Sequence, residues 1–317
     1  MPASALLLAV DGPQAALYEK LFREHMEARD LRVWPDRIGD QRDVAYACVW
    51  KPPHGLLAGF TNLKAIFNLG AGADHVLADP ALPDVPLVRA VHRDLSMRVT
   101  EYVVLHVLMF HRRQRLYDAQ QRARLWKGHD QPAAGEVAVG VMGLGAIGLE
   151  AASVLARIGF DVAGWSRAPK SLAGIRAFHG EAGLDAFLAR TEILVCLLPA
   201  TPQTDGILAL PLLRKLKCDG AAGGAFLINA GRGRLQIDAD ILAALDEGTL
   251  AGAALDVFPQ EPLPADSPLW SHPKVTVTPH NAGDISPAIL VGDVVRQIGR
   301  MEQGLALEHV VGRARHY

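Results

Sequence analysis

Residues 137–152 read VAVGVMGLGAIGLEAA. An apolar, β-rich run leads into Gly143-x-Gly145-x-x-Gly148 and then into a helical pattern, the order of a dinucleotide-binding strand, turn and helix. Each glycine has its own task in such a unit. Gly143 permits the tight turn, Gly145 lets backbone approach a pyrophosphate, and Gly148 lets helix pack on strand. The amides at the helix start, around Ala146 and Ile147, are placed to receive the phosphates with help from the helix dipole. In a chain with 30 glycines a bare GxGxxG says little, and its alternative is a structural glycine turn. The strand before it and the helix after it favour the nucleotide.

From VAVGVMG onward the chain shows six strand-like runs separated by helical patterns, the others being DVAGWS, ILVCLLP, AFLINAG, AGAALDVF and VTVTP. Six such units make a complete doubly wound dinucleotide sheet. Upstream, ALLLAV, VAYACVW and LKAIFNL alternate with a helical pattern at Gln14 to Met26 and with GADHVL, the rhythm of a second parallel sheet. The proline-bearing DPALPDVPLVRA reads as a domain crossing, and a long helical pattern follows from about Ser96 to Arg124. The last helical pattern, Pro287 to Gln303, lies beyond the final strand and returns to the first domain. The expected fold is therefore α/β with two doubly wound parallel-sheet domains. A Rossmann NAD(P)-binding domain at 93–286 is inserted in a flavodoxin-like substrate-binding domain at 1–92 and 287–317. A length of 317 residues fits two domains, because single cores stop growing at roughly 250 to 300 residues.

Half of the residues are hydrophobic, 21% are charged and the formal net charge is −2, which asks for no polyelectrolyte partner. The run FHRRQRLYDAQQRARLWKGH sets six cations, Arg112, Arg113, Arg115, Arg122, Arg124 and Lys127, against Asp118. Without a recognition motif it reads as a solvated or subunit-facing helix rather than a nucleic-acid patch. Cys48, Cys196 and Cys218 are far apart and form no CxxC pair, so they read as thiols of a reducing compartment, not as zinc ligands or disulfides. MPASALLLAVDGP lacks a basic n-region and reads as a first strand of a cytoplasmic enzyme. No apolar run reaches the roughly 18 residues of a membrane helix, since YVVLHVLMFHRR is interrupted at His106 and ends at His111.

The run DVAGWS continues as GWSRAPK. An NAD site would carry an acid there for the ribose hydroxyls, whereas Ser166, Arg167 and, with lesser help from a solvated turn, Lys170 suit a 2′-phosphate. NADP is thus expected, with NADPH preferred over NADH; the alternative is an exposed basic turn. The cofactor-binding set also takes in Leu198 and Pro199 of ILVCLLP, Thr204 just after it, and Ala230 of LINAGRG.

In LINAGRG an arginine stands between two glycines at the end of a buried strand, where ligands of open α/β sheets bind. Arg232 is expected to grip an anionic substrate, its planar fork suiting a carboxylate. The glycines are read as freeing the backbone to turn and approach closely. A salt bridge to a neighbouring acid is the alternative, and it would leave those glycines without purpose. Glu261 in LDVFPQEPLP and His280 in VTPHNAG complete the set. An acid on the imidazole fixes its tautomer and makes it a competent proton donor near neutrality. No second ligand stands at metal-binding spacing from His280, so no metal is expected.

The order GLGAIG, NAGRG, LDVFPQEPLP, SPLWSHPKVTVTPH resembles the D-isomer-specific 2-hydroxyacid dehydrogenase family. VWKPPHGLLAGFTNLKAIFNLGAGADHVL and WSRAPKS are similar to its glyoxylate/hydroxypyruvate reductase A subgroup, so the likeness covers nearly the whole chain. The resemblance implies that Arg232, Glu261 and His280 are the catalytic trio. It implies that Ala71 and Gly72 form the turn holding the substrate carboxylate, and that Trp50 is a pocket tryptophan. It implies that Asp256 bonds the nicotinamide carboxamide, and that a homodimer forms through the helix and arm around 96–131. The implied reaction is NADPH-dependent reduction of small 2-keto acids, glyoxylate to glycolate and hydroxypyruvate to D-glycerate, with His280 protonating the oxygen. Two departures stand out: NAGDISP after the histidine is more polar than expected, and KCDGAAGGAF is longer and looser than the usual turn. The rival readings are a nucleotide-sensing, corepressor-like interaction protein and a formate- or phosphite-type dehydrogenase on the same scaffold.

Overall fold

The computed structural model describes residues 4–12, 14–170 and 172–313. The chain ends counted in the substrate-domain reading (1–3 and 314–317), Pro13 of MPASALLLAVDGP and Ser171 of WSRAPKS lie outside the described residues. Contacts divide the chain into two compact units, one of Met1–His92 with Ile285–Tyr317 and one of Arg93–Asp284.

In unit 1 five strands lie in the order β2-β1-β3-β4-β5, all parallel. They are β1 (Ala5–Val10), β2 (Leu31–Val33), β3 (Val44–Trp50), β4 (Ala65–Asn68) and β5 (Leu87–Arg89). This is the flavodoxin-like order. All of β1 and β4 is buried, because helices and loops cover both faces of a parallel sheet, and their sequences are accordingly apolar runs without alternation. Helix α1 (Ala15–His25) buries Tyr18 and Phe22, and α2 (Asp74–Leu77) is a single turn. The proline-bearing segment read as a domain crossing contains β5, a short edge strand between Pro86 and Ala90. The change of unit comes after it, between His92 and Arg93.

Unit 2 opens with α3 (Arg93–His111) and α4 (Gln114–Arg122) where the pattern predicts one helix. The break falls at Arg113, whose φ is +53°, a conformation that cannot continue a right-handed helix. Phe110 of α3 stacks on Phe226 with ring centroids 4.6 Å apart. The remaining elements run β6 (Ala138–Met142), α5 (Ala146–Ile158), β7 (Asp161–Ser166), β8 (Arg176–His179), α6 (Gly180–Arg190) and β9 (Ile193–Cys196). They continue as α7 (Leu210–Leu213), β10 (Phe226–Asn229), α8 (Asp238–Asp246), β11 (Gly252–Leu255) and β12 (Val275–Val277). The sheet order is β12-β11-β10-β9-β6-β7-β8, parallel throughout. The chain reverses its direction of growth between β6 and β9, the point at which doubly wound sheets open a ligand crevice. The six runs read from sequence are present, and β8 is a seventh strand at the edge. The loop read as loose is tied down: Glu192, fully buried, accepts the Ala222 amide at 2.6 Å and the Ala138 amide at 3.3 Å. Helix α9 (Pro287–Glu302) belongs to unit 1 and packs on α1.

Candidate active site

The glycine turn lies at the crossing point of unit 2. Gly143 has φ +108°, and a Cβ there would stand 2.8 Å from the Leu197 carbonyl carbon and oxygen just beyond β9. A Cβ on Gly148 would come within 1.8 Å of the Gly143 carbonyl oxygen, so α5 presses on the turn as closely as backbone allows. Gly145 is different. It is the N-cap of α5, and a Cβ on it would meet no atom within 4 Å. The space kept by its missing side chain lies at the helix N-terminus, where the dipole and unpaired amides attract a phosphate. These residues fit a dinucleotide: two glycines are needed for packing, and the third leaves a cradle that a methyl group would fill.

At the end of β7, Ser166 is largely buried and its hydroxyl donates to the Ala168 carbonyl at 2.8 Å. Beside it stands Arg167, on the exposed turn. Lys170, expected to be solvated, is exposed and also donates to the carbonyl of Leu144 inside the glycine turn. Its long stem reaches back across the loop, so the ammonium links the end of β7 to the phosphate cradle. Leu198 and Pro199 follow β9, and Thr204 ties that loop by donating to the Pro199 carbonyl at 2.7 Å and accepting from the Thr201 amide at 2.9 Å. The Ala230 amide donates to the Cys196 carbonyl at 3.2 Å, joining the ends of β10 and β9.

After β10 comes Arg232, half-buried, with one guanidinium nitrogen donating to the Gly231 carbonyl at 2.7 Å. Neither neighbouring glycine takes a left-handed φ. Their purpose is close packing: a Cβ on Gly233 would stand 1.9 Å from the Phe258 carbonyl, and one on Gly231 2.9 Å from the Leu198 carbonyl oxygen. The glycines are thus explained without a ligand, and the expectation that only substrate binding gives them a purpose is corrected. Gly233 also fixes how closely the Arg232 loop approaches the segment leading to Glu261.

Glu261 bridges Phe258 and His280. One carboxylate oxygen accepts the Phe258 amide at 3.2 Å, and the other lies 2.8 Å from Nδ1 of His280. The imidazole keeps about a third of its surface exposed, 34% against 22% for Glu261, so it is buttressed on one nitrogen and still open to solvent. His280 itself has φ +54°, and its amide donates to the Asp256 carbonyl at 2.7 Å. The Asp256 carboxylate, 1% exposed, accepts from Thr278 Oγ1 at 2.7 Å and from the amides of Asn281 and Ala282 at 3.0 Å each. Sequence reading gave Asp256 to the nicotinamide and did not foresee this second attachment. Among the described residues no group of three or more His, Cys, Asp and Glu is placed to hold a metal ion.

On unit 1, Trp50 ends β3, its ring edge-on to His75 at 5.2 Å. A Cβ on Gly70 would strike that ring at 2.3 Å, so Trp50 lies directly on the turn Gly70–Gly72. Asn68, 3% exposed, holds the turn from below, donating to the carbonyls of Gly70 and Gly72 at 2.8 and 3.0 Å. Ala71 sits between them, half-buried. Asn68 was not singled out from sequence, although an amide closing the apolar run AIFN was a visible signal.

Doubly wound sheets, a glycine cradle at the crossing point and a carboxylate-buttressed histidine together define a dinucleotide-linked dehydrogenase fold. Comparison with known proteins narrows the class. Residues 104–282 match the family model described as D-isomer specific 2-hydroxyacid dehydrogenase, NAD binding domain. The chain is 42% identical over 309 residues to the glyoxylate/hydroxypyruvate reductase A of Salmonella paratyphi B, covering 96% of each. Its fold matches the NADPH-dependent glyoxylate/hydroxypyruvate reductase of Sinorhizobium meliloti, solved with NADP and sulfate, at TM-score 0.92 and 43% identity, over 99% of this chain and all of that one. It matches equally, at TM-score 0.92 and 40% identity over 99% of this chain and all of the other, a D-isomer specific 2-hydroxyacid dehydrogenase from Xanthobacter autotrophicus Py2 solved with NADPH and MES. The chain belongs to the D-isomer specific 2-hydroxyacid dehydrogenase family.

Proposed function

We propose that this protein is an NADPH-dependent reductase of small 2-keto acids, with glyoxylate and hydroxypyruvate as its substrates. The observation that carries the reading is the 2.8 Å contact between His280 Nδ1 and Glu261. A carboxylate accepting at Nδ1 leaves Nε2 as the nitrogen that carries the transferable proton. Relatives named as glyoxylate/hydroxypyruvate reductases support the substrate class, and neighbours solved with NADP and NADPH support the cofactor.

Bound NADPH supplies a hydride to the keto carbon. His280 gives its Nε2 proton to the keto oxygen, and Glu261 holds the ring in place through Nδ1. Arg232 takes the substrate carboxylate in its planar fork and draws electron density toward the carbonyl oxygen. The amides of Ala146 and Ile147 hold the pyrophosphate. Gly143, Gly145 and Gly148 shape its cradle, and Ser166, Arg167 and Lys170 take the 2′-phosphate. Leu198, Pro199, Thr204, Ala230 and Asp256 complete the cofactor side. On unit 1, Trp50, Ala71 and Gly72 are assigned to substrate. Unit 1 is read as the substrate-binding domain, expected at 1–92 and 287–317, and unit 2 as the nucleotide-binding domain, expected at 93–286; the units themselves divide at Asp284 and Ile285.

A homodimer through the segment 96–131 is part of the proposal. Leu105, Leu116 and Leu125 are exposed there, and Trp126 is 102% exposed, an unusual cost for a free surface. A cytoplasmic setting accords with three free cysteines. Among the described residues no helix is long and apolar enough to cross a membrane. The test is a panel of 2-keto acids assayed with NADPH and with NADH, following loss of absorbance by the reduced cofactor. Turnover of glyoxylate and hydroxypyruvate with NADPH preferred is expected; no turnover of any 2-keto acid refutes the reading.

A further inference from the structure

Behind His280 runs a part-buried chain of hydroxyls that the reaction does not touch. Tyr102 of α3, 8% exposed, places its hydroxyl 3.0 Å from Oγ1 of Thr278, and Thr278 Oγ1 lies 2.7 Å from Oδ1 of Asp256. An ionised carboxylate only accepts, so the single proton of Thr278 goes to Asp256 and Tyr102 donates to Thr278. Burial raises the Tyr102 phenol above its ordinary value, which keeps it a neutral donor. His106, one turn along α3, packs its ring 4.3 Å from that of Tyr102 and closes the far side.

Asp256 in turn holds both amides that follow His280, at 3.0 Å each, while its backbone carbonyl takes the His280 amide at 2.7 Å. The histidine needs this grip, because its φ of +54° is a conformation that an L side chain adopts at a cost. We infer that Tyr102 and Thr278 are positioning residues for proton transfer: through Asp256 they lock the left-handed turn that brings His280 to Glu261. Neither touches the reacting atoms. The inference rests on the reading of His280 as the proton donor.

The test uses the full chain with NADPH and glyoxylate. Thr278→Val keeps the branched shape and removes the hydroxyl, Thr278→Ser restores it, and Tyr102→Phe removes only the outer link. Losing a hydrogen bond to a charged group corresponds to about tenfold or more, so Thr278→Val is expected to lower kcat by that factor. Tyr102→Phe, a neutral bond one step removed, is expected to lower kcat by about threefold. The KM for glyoxylate should stay within about twofold of wild type in both, and Thr278→Ser should recover most of the lost kcat. A merely structural role would lower folding stability and leave the kcat of the folded enzyme unchanged. Wild-type kcat in Thr278→Val overturns the inference, as does an equal loss in Thr278→Ser or a loss confined to NADPH affinity. Should Thr278→Val not fold, unchanged kcat in Tyr102→Phe overturns it. The functional reading fails differently: His280→Ala would then retain full turnover, whereas a dead His280→Ala beside fully active Thr278→Val and Tyr102→Phe removes only this inference.

Discussion

Replacing Gly145 by alanine separates cofactor binding from folding. Its φ of −74° and ψ of −169° suit alanine without strain, and the new methyl meets no protein atom within 4 Å. The weaker N-cap preference of alanine and its smaller unfolded-state entropy act in opposite directions, so folding stability should stay within about 1 kcal/mol of wild type. The methyl does, however, fill the space over the α5 N-terminus through which a pyrophosphate would reach the amides of Ala146 and Ile147. Losing one charge-assisted hydrogen bond costs about 1.5–3 kcal/mol, a ten- to hundredfold rise in the Kd for NADPH. Gly148→Ala should behave in the opposite way: its Cβ would lie 1.8 Å from the Gly143 carbonyl oxygen, and the forced shift costs roughly 1–3 kcal/mol of stability before any cofactor is added. Titration of NADPH by fluorescence and unfolding in urea, run on both variants, make the comparison. Gly145→Ala that binds NADPH as tightly as wild type, or that unfolds as easily as Gly148→Ala, would refute the reasoning.

Arg232→Ala should raise the KM for glyoxylate strongly, since truncating one partner of a buried charge pair costs on the order of 2–5 kcal/mol; steady-state kinetics showing an unchanged KM would remove Arg232 from the substrate. Ser166→Asp combined with Arg167→Ala should reverse the nucleotide preference from NADPH to NADH, seen as the ratio of the two kcat/KM values, and an unmoved ratio would make GWSRAPK an ordinary basic turn. Burial pushes the Cys48 thiol up and the Cys196 thiol up to about 12, while Cys218 is exposed. Only the thiolate reacts, so iodoacetamide at pH 8 should modify the native protein at Cys218 alone, and intact mass showing further labels before unfolding would contradict the burial of the other two.

The sheet of unit 2 was legible because a parallel strand buried on both faces writes itself as an unbroken apolar run: AVGVM, ILVC and FLIN could be little else. RAFH of β8 was not legible, since an edge strand with exposed ends carries no such run. The break between α3 and α4 was hidden for another reason. It depends on the left-handed Arg113, while the surrounding residues contain neither glycine nor proline to mark a break. Residue types pointed to Arg232, Glu261 and His280, and the structure adds the short contact between the last two. The sequence could not show that Gly233 is pressed against Phe258, that Asn68 ties the Gly70–Gly72 turn, or that Glu192 pins the loop around Ala222. Those are contacts between segments distant in the chain, and a local pattern does not encode them.

The direct measurement of the central claim is the rate at which His280→Ala oxidises NADPH when mixed with glyoxylate, beside its affinity for NADPH alone. With His280 as the proton donor, the rate should fall by about a hundredfold or more, while the Kd for NADPH stays near that of wild type because the cradle at Gly143, Gly145 and Gly148 is untouched. A near-normal rate with intact NADPH binding would contradict the claim and place the proton donor elsewhere.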